Sequence, residues 1–209
     1  MALGLSLLLT LFAASPARAH PHVWVTATSE LLYREDGAIV GVRHAWTFDE
    51  MFSTYALQGL AQKTKGTYSR EELADLAQTN VESLKEYRYF TYAKAGDDEP
   101  SKKQPFTDPV DYYLEYKDGA LVLHFTLPFK TPFKARALSI EIYDPTYFVD
   151  FSLDDDNPIK LVSAPAGCAF ALQRPGPASA TKPTEDIFTS GANANYGMMF
   201  ANKIRVTCP

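Results

Sequence analysis

Of 209 residues, 46% are hydrophobic, 13% aromatic and 22% charged, the balance of an ordinary folded chain of one domain or two small ones. Disorder and coiled coil are excluded on that basis. Twenty Lys and Arg stand against 25 Asp and Glu, a formal charge of −5, so no basic surplus exists to neutralise a phosphate backbone and nucleic acid is a poor partner.

The chain opens on an apolar run, Ala2 to Ala14, followed by Ser15-Pro16-Ala17-Arg18-Ala19. Small residues at 17 and 19 form an Ala-x-Ala cleavage pattern, so residues 1–19 read as a secretory signal peptide and residues 20–209 as one exported β-rich domain. The run is shorter than the roughly 20 residues a membrane span needs, and no direct membrane insertion is expected after cleavage. Cleavage there makes His20 the first residue of the mature chain. Export also gives meaning to Cys168 and Cys208, since an even cysteine count in an oxidising compartment reads as a disulfide. Such a bridge stabilises by about 2–4 kcal/mol.

After His20-Pro21-His22, the stretch Val23 to Tyr33 is rich in β-branched and aromatic residues and ends in the turn Arg34-Glu35-Asp36-Gly37, with a second β-like run from Ala38 to Phe48. A hairpin is expected. Val42, His44, Trp46 and Phe48 share one face of its second strand, Arg43, Ala45, Thr47 and Asp49 the other. Near Met51 the period lengthens: Phe52, Tyr55, Ala56 and Leu60 suit a short helix. Ser69-Arg70-Glu71-Glu72 is a capping box before Leu73, Leu76, Ala77, Val81 and Leu84. From Tyr87 the chain turns β-like again, crosses a loop from Ala95 to Pro109, and continues through strands at 110–116, 121–127, 137–143 and 147–153. Gln173 to Thr184 is rich in Pro, Ala and Ser, and a closing strand spans Ile204 to Thr207. The expected class is α+β: an antiparallel sheet or sandwich with a helical insertion between about residues 50 and 86.

Common enzyme signatures are absent: no Gly-rich phosphate loop, no Gly-x-Ser-x-Gly elbow, no His-Glu-x-x-His helix and no Cys-x-x-Cys pair. A chain beginning His20-Pro21-His22, by contrast, offers an α-amine and two imidazoles within three residues, none of which resists deprotonation strongly near neutral pH. Zinc, nickel, cobalt and copper accept such ligands. Pro21 has no N–H, so a square-planar site built from deprotonated amides cannot close and further ligands must come from the fold. His44, Asp49, Glu50 and Asp144 are the candidates, with Asp150 and His124 beside them; His22 and His44 lie in the two strands of the expected hairpin. Against ligation, His44 shares a face with Trp46 and Phe48, as a packed core histidine would, and Asp144 before Pro145 suits a turn cap.

Two further features read as structural. Placing Gly66 sixth and Glu72 twelfth gives a calcium-loop frame, but Ala61, Lys63 and Lys65 then occupy ligand positions, so calcium is not expected. The aromatic cluster from Tyr143 to Phe148 could line a pocket, yet packing is its more ordinary role.

His20-Pro21-His22-Val23-Trp24-Val25, Trp46-Thr47-Phe48-Asp49-Glu50-Met51-Phe52-Ser53, Ile142-Tyr143-Asp144-Pro145-Thr146-Tyr147-Phe148 and Val206-Thr207-Cys208 together resemble the bacterial domain-of-unknown-function 1007 family across the whole mature chain. The resemblance implies a periplasmic component of an ABC-type transport system, in a family often encoded beside nickel/cobalt-type exporters or zinc-responsive genes. It supplies no catalytic residues. Members often carry an acidic calcium-loop-like segment where this chain has Ala61 to Glu72. The two α/β lobes of ordinary periplasmic binding proteins do not match this β-rich pattern. The expectation is therefore a periplasmic accessory protein, not an enzyme, that binds a transition metal and meets a membrane transporter subunit. The alternatives are a non-metal module docking on that transporter and a histidine-brace copper oxidoreductase.

Overall fold

The computed structural model describes residues 21–97, 102–176 and 196–209; the signal-peptide assignment, His20 and most of the Pro/Ala/Ser-rich stretch lie outside them. Strand β1 (Val23–Tyr33) turns its odd-numbered residues inward, with Val25, Ala27, Ser29 and Leu31 buried. It pairs antiparallel with β2 (Ile39–Phe48). The turn between them works because Gly37 adopts φ +80° and the Asp36 carboxylate accepts the Ala38 N–H. Glycine is also required at 41 in β2, where a Cβ would press on the Leu127 carbonyl oxygen at 2.7 Å.

The helical insertion consists of α1 (Glu50–Ala56) and α2 (Ala74–Leu84). The Ser69 capping box forms, Ser69 N–H donating to Glu72 and Glu72 N–H to Ser69 Oγ, but it closes an irregular turn and the regular helix begins at Ala74. A left-handed turn at Arg88–Phe90 then leads into β3 (Thr91–Gly96). There follow β4 (Lys102–Lys103), β5 (Val110–Lys117), β6 (Ala120–Phe133), β7 (Ala137–Ile142), β8 (Val149–Leu153), β9 (Ile159–Val162), β10 (Ala169–Gln173) and β11 (Asn202–Thr207).

These strands form two sheets, ordered β5-β6-β2-β1-β8 with β9 also on β1, and β10-β11-β7-β3-β4. The α+β sandwich expected from the sequence is thus the architecture, with one correction. The pairings of β1 with β8 and with β9 are parallel: the chain crosses to the second sheet for β7 and comes back to the edge of β1 running in the same direction. Between the sheets lies a core centred on Trp46, whose ring meets Phe125 edge-on at 4.7 Å and Phe151 at 4.9 Å. Ile140, Ile142, Ile204 and Val206 close it from the second sheet. Cys168 and Cys208 are disulfide-bonded where β10 and β11 pair, at Ala169 opposite Thr207. Among the described residues no helix is long and apolar enough to cross a membrane.

Candidate functional site

The expected hairpin forms, but its register separates the two histidines it was expected to bring together. His44 faces Ser29, seven residues along β1 from His22, a displacement of roughly 23 Å at the rise of an extended strand. His44 is 1% exposed, and both of its ring nitrogens are engaged: Nδ1 with Ser29 Oγ at 2.9 Å and Nε2 with Thr91 Oγ1 at 3.3 Å. Thr91 Oγ1 donates to the Tyr89 carbonyl at 2.8 Å, so its hydrogen is committed and it accepts from His44 Nε2–H. Ser29 therefore donates to Nδ1. The chain Ser29 to His44 to Thr91 to Tyr89 runs from one sheet to the other, and burial drives the His44 pKa down to about 3. His44 is a neutral core residue with no nitrogen left for a metal.

Asp49 is likewise occupied. Its Oδ1 accepts the Phe52 N–H as the N-cap of α1, and its Oδ2 accepts the Trp24 N–H, each at 2.9 Å. One carboxylate thereby pins the start of β1 to the start of α1. Asp144, 3% exposed, takes Thr146 N–H and Thr146 Oγ1–H on Oδ1, and Phe148 N–H and Val149 N–H on Oδ2, all within 3.0 Å. The turn it organises includes Tyr147 at φ +59° and is backed by Gly197, where any Cβ would collide with the Asp144 carbonyl. The turn-cap reading of Asp144 holds; its oxygens face backbone donors, not a vacant shell.

The remaining candidates fall at one end of the first sheet, His22 just before β1 and Glu50 just after β2. His22 donates its N–H to the Phe148 carbonyl at 2.9 Å, and its imidazole stacks on the Phe148 ring at 4.7 Å. Its ring is exposed, as is Glu50 in the first turn of α1, whose carboxylate has no hydrogen bond or ion pair among the described residues. Asp150 sits beside Trp24 in the parallel register, half-buried, and desolvation raises its pKa. His124 is elsewhere, stacked on Tyr113 at 4.4 Å and bonded to Glu115 at 3.2 Å; burial lowers its pKa against the opposing pull of Glu115. In the calcium-loop frame, Gly66 takes φ +82°, and both Glu72 oxygens accept main-chain N–H groups, from Lys63 and Ser69. Among the described residues, no three His, Cys, Asp or Glu side chains converge as a metal site.

A second concavity went unread in the sequence. A groove of about 850 Å³ runs between the Arg88–Phe90 turn, the outer face of β3 and the segment from Gln104 to Asp108. Tyr92 and Tyr143 stack on its floor at 4.6 Å. The aromatic cluster beginning at Tyr143 does line a cavity, in part, through Tyr143, Pro145 and Thr146. The legible signal was Tyr92 and Lys94 alternating outward from buried Thr91, Ala93 and Ala95.

Comparison with known proteins places this architecture. The chain is 26% identical over 209 residues to an "Uncharacterized protein" of Haemophilus influenzae (strain ATCC 51907 / DSM 11121 / KW20 / Rd), covering 97% of this chain and 98% of that one. It is also 26% identical over 113 residues to an "Uncharacterized 15.5 kDa protein in trpE 3'region" of Spirochaeta aurantia, covering 54% and 78% of the two chains. The family model described as "Protein of unknown function (DUF1007)" matches residues 5–208, and with nearly the whole chain so matched, the protein belongs to the DUF1007 family.

Proposed function

We propose that the protein is exported to the periplasm and binds a transition metal ion through its mature N-terminus, as an accessory to a membrane transport system. The observation that supports this reading is the anchoring of His22: its backbone is bonded to Phe148 and its exposed ring lies flat on the Phe148 side chain. His22 is thus held against the fold with its ring accessible, and cleavage before His20 would add a second imidazole and an α-amine two residues away in the sequence. Because Asp49, Asp144 and His44 are taken up by structural hydrogen bonds, the donors are His20 and His22, with Glu50 the acidic candidate that has no hydrogen bond or ion pair among the described residues. A bound ion would supply a fixed positive charge at this end of the molecule.

Intact-mass measurement of the secreted protein tests the premise; a mature chain starting elsewhere than His20 removes the α-amine from the site. Calorimetric titration with zinc, nickel, cobalt and copper then tests binding, which is expected to weaken by tenfold or more, about 1.4 kcal/mol or above, in His20→Ala and His22→Ala.

A second reading has its own support. Trp24 is 45% exposed, Tyr55 71% and Met51 65%, a concentration of large apolar side chains in water near the same end. A docking surface for a transporter subunit would use them. Unchanged metal affinity in both histidine variants, together with lost transporter association in Trp24→Ser, selects this reading.

A further inference from the structure

The groove over the second sheet is built on unusual backbone. Arg88, Tyr89 and Phe90 have φ values of 54°, 54° and 47°, three consecutive non-glycine residues in left-handed conformation. Each costs on the order of 1–2 kcal/mol, and such segments persist only where the surroundings over-determine them. Here the determinants are visible. Phe90 is clamped between Tyr87 at 5.3 Å and Phe151 at 5.4 Å, its carbonyl accepts the Tyr143 N–H, and the Tyr89 carbonyl receives the end of the buried His44 chain through Thr91. The result is that Arg88, on the surface, lies beside the stacked pair Tyr92 and Tyr143, near enough for its charge to act on both hydroxyls.

Lys85, Arg88, Lys94 and Lys103 line the groove against Glu86, Asp108 and Glu141, a small positive surplus. Lys85 pairs with Asp108 at 2.8 Å, and Glu141 is flanked by Lys203 at 3.4 Å and Lys94 at 4.0 Å. Arg88 and Lys103 have no ion-pair partner among the described residues, and neither the Tyr92 nor the Tyr143 hydroxyl has a hydrogen-bond partner among them. Burial pushes the Tyr92 phenol up to about 12 and raises Tyr143 too, so both remain O–H donors at neutral pH. The Arg88 guanidinium, which only donates, and the two phenols therefore line one groove, in which the Glu141 carboxylate is flanked by two lysines. Tyr89 and Phe106 add ring surface along the same groove.

We propose that this groove binds a small organic molecule carrying an oxyanion, carboxylate or phosphate, on a planar apolar body. Arg88 and the hydroxyls of Tyr92 and Tyr143 receive the oxyanion; the rings of Tyr89 and Phe106 flank the body. The volume suits such a ligand, and Lys94 and Lys203 offset the charge of Glu141. The site is independent of the metal reading, since it uses none of His20, His22 or Glu50.

The test is calorimetric or ligand-observed NMR titration of the oxidised mature protein with benzoate, phenyl phosphate and the uncharged benzyl alcohol. Saturable binding of either anion, with benzyl alcohol weaker by about tenfold or more, is the expected result. Benzoate alone marks a carboxylate ligand, and phenyl phosphate alone a phosphate. Arg88→Gly is the sharpest variant, because glycine relaxes φ +54° while deleting the guanidinium: unfolding midpoint unchanged or raised, anion affinity down by about tenfold. Tyr92→Phe and Tyr143→Phe each lower it by about three- to tenfold, and Tyr92→Phe keeps the test decisive should Arg88→Gly disturb the turn. Absence of saturation for both anions by about 10 mM, equal binding of benzyl alcohol, or affinity indifferent to all three substitutions overturns the proposal.

Discussion

At the seam between the sheets, His44 is wholly buried, hydrogen-bonded on both nitrogens and neutral; at the open end, His22 lies on a phenylalanine with its ring in solvent. Both belong to the same hairpin, and both are flanked by aromatic residues. The difference is in the partners the second sheet supplies. Thr91 and the Tyr89 carbonyl reach across to complete the His44 chain, whereas Asp49 and Asp144 are held by backbone donors within the first sheet and its turns. A polar residue is available for chemistry when the fold has not already satisfied it, which residue type alone does not reveal.

Breaking the seam should have the largest effect. His44→Ala leaves the Ser29 and Thr91 hydroxyls unpaired beside a cavity next to Trp46, and urea denaturation should show a loss of about 3–5 kcal/mol. At the open end, Asp144→Ala releases four donors at once. It should cost about 2–4 kcal/mol, with faster hydrogen exchange at the Phe148 and Val149 amides, while the Ser29–His44 seam keeps its protection.

Acid distinguishes the two regions without mutation. The His44 pKa falls from about 6.5 in the unfolded chain to about 3 in the folded one, so below pH 6.5 the unfolded chain takes up a proton that the folded chain refuses. The stabilisation is complete above that pH and is lost progressively toward pH 3. Unfolding free energy should drop by about 2 kcal/mol between pH 7 and 5, and His44→Phe should flatten that slope whatever it does to the absolute stability. An identical slope in the variant would deny His44 this role. The smallest effect is expected from Asp49→Ala, which uncaps α1 and frees the Trp24 N–H, about 1–2 kcal/mol by thermal or urea melts.

The alternation in Val23 to Tyr33 and in Val42 to Phe48 made the central hairpin legible, and β5 to β8 followed from similar signals with ends displaced by a few residues. Strands β9 and β10 escaped because each is only four or five residues long, β10 is also largely exposed, and neither has much apolar period to read. At the candidate site, the turn-capping role of Asp144 was visible in its position before Pro145. The double engagement of Asp49 was not, since the Trp24 N–H approaches from 25 residues away. Nor was the groove, whose donors come from β3 and the end of β7 and meet only through sheet pairing at Tyr92 opposite Glu141.

The parallel partners of β1 bear on how the protein reaches this structure. The first strand of the fold is interior to its sheet, between β2 on one side and β8 and β9 on the other, so it has no complete set of neighbours until residues 149–162 are present. Contacts between residues so far apart in sequence make for slow folding. A polypeptide delivered N-terminus first would hold its opening strand half-paired throughout delivery, with one edge exposed to intruding strands. Truncation after Phe133 should leave that edge permanently open and convert it into a site of aggregation.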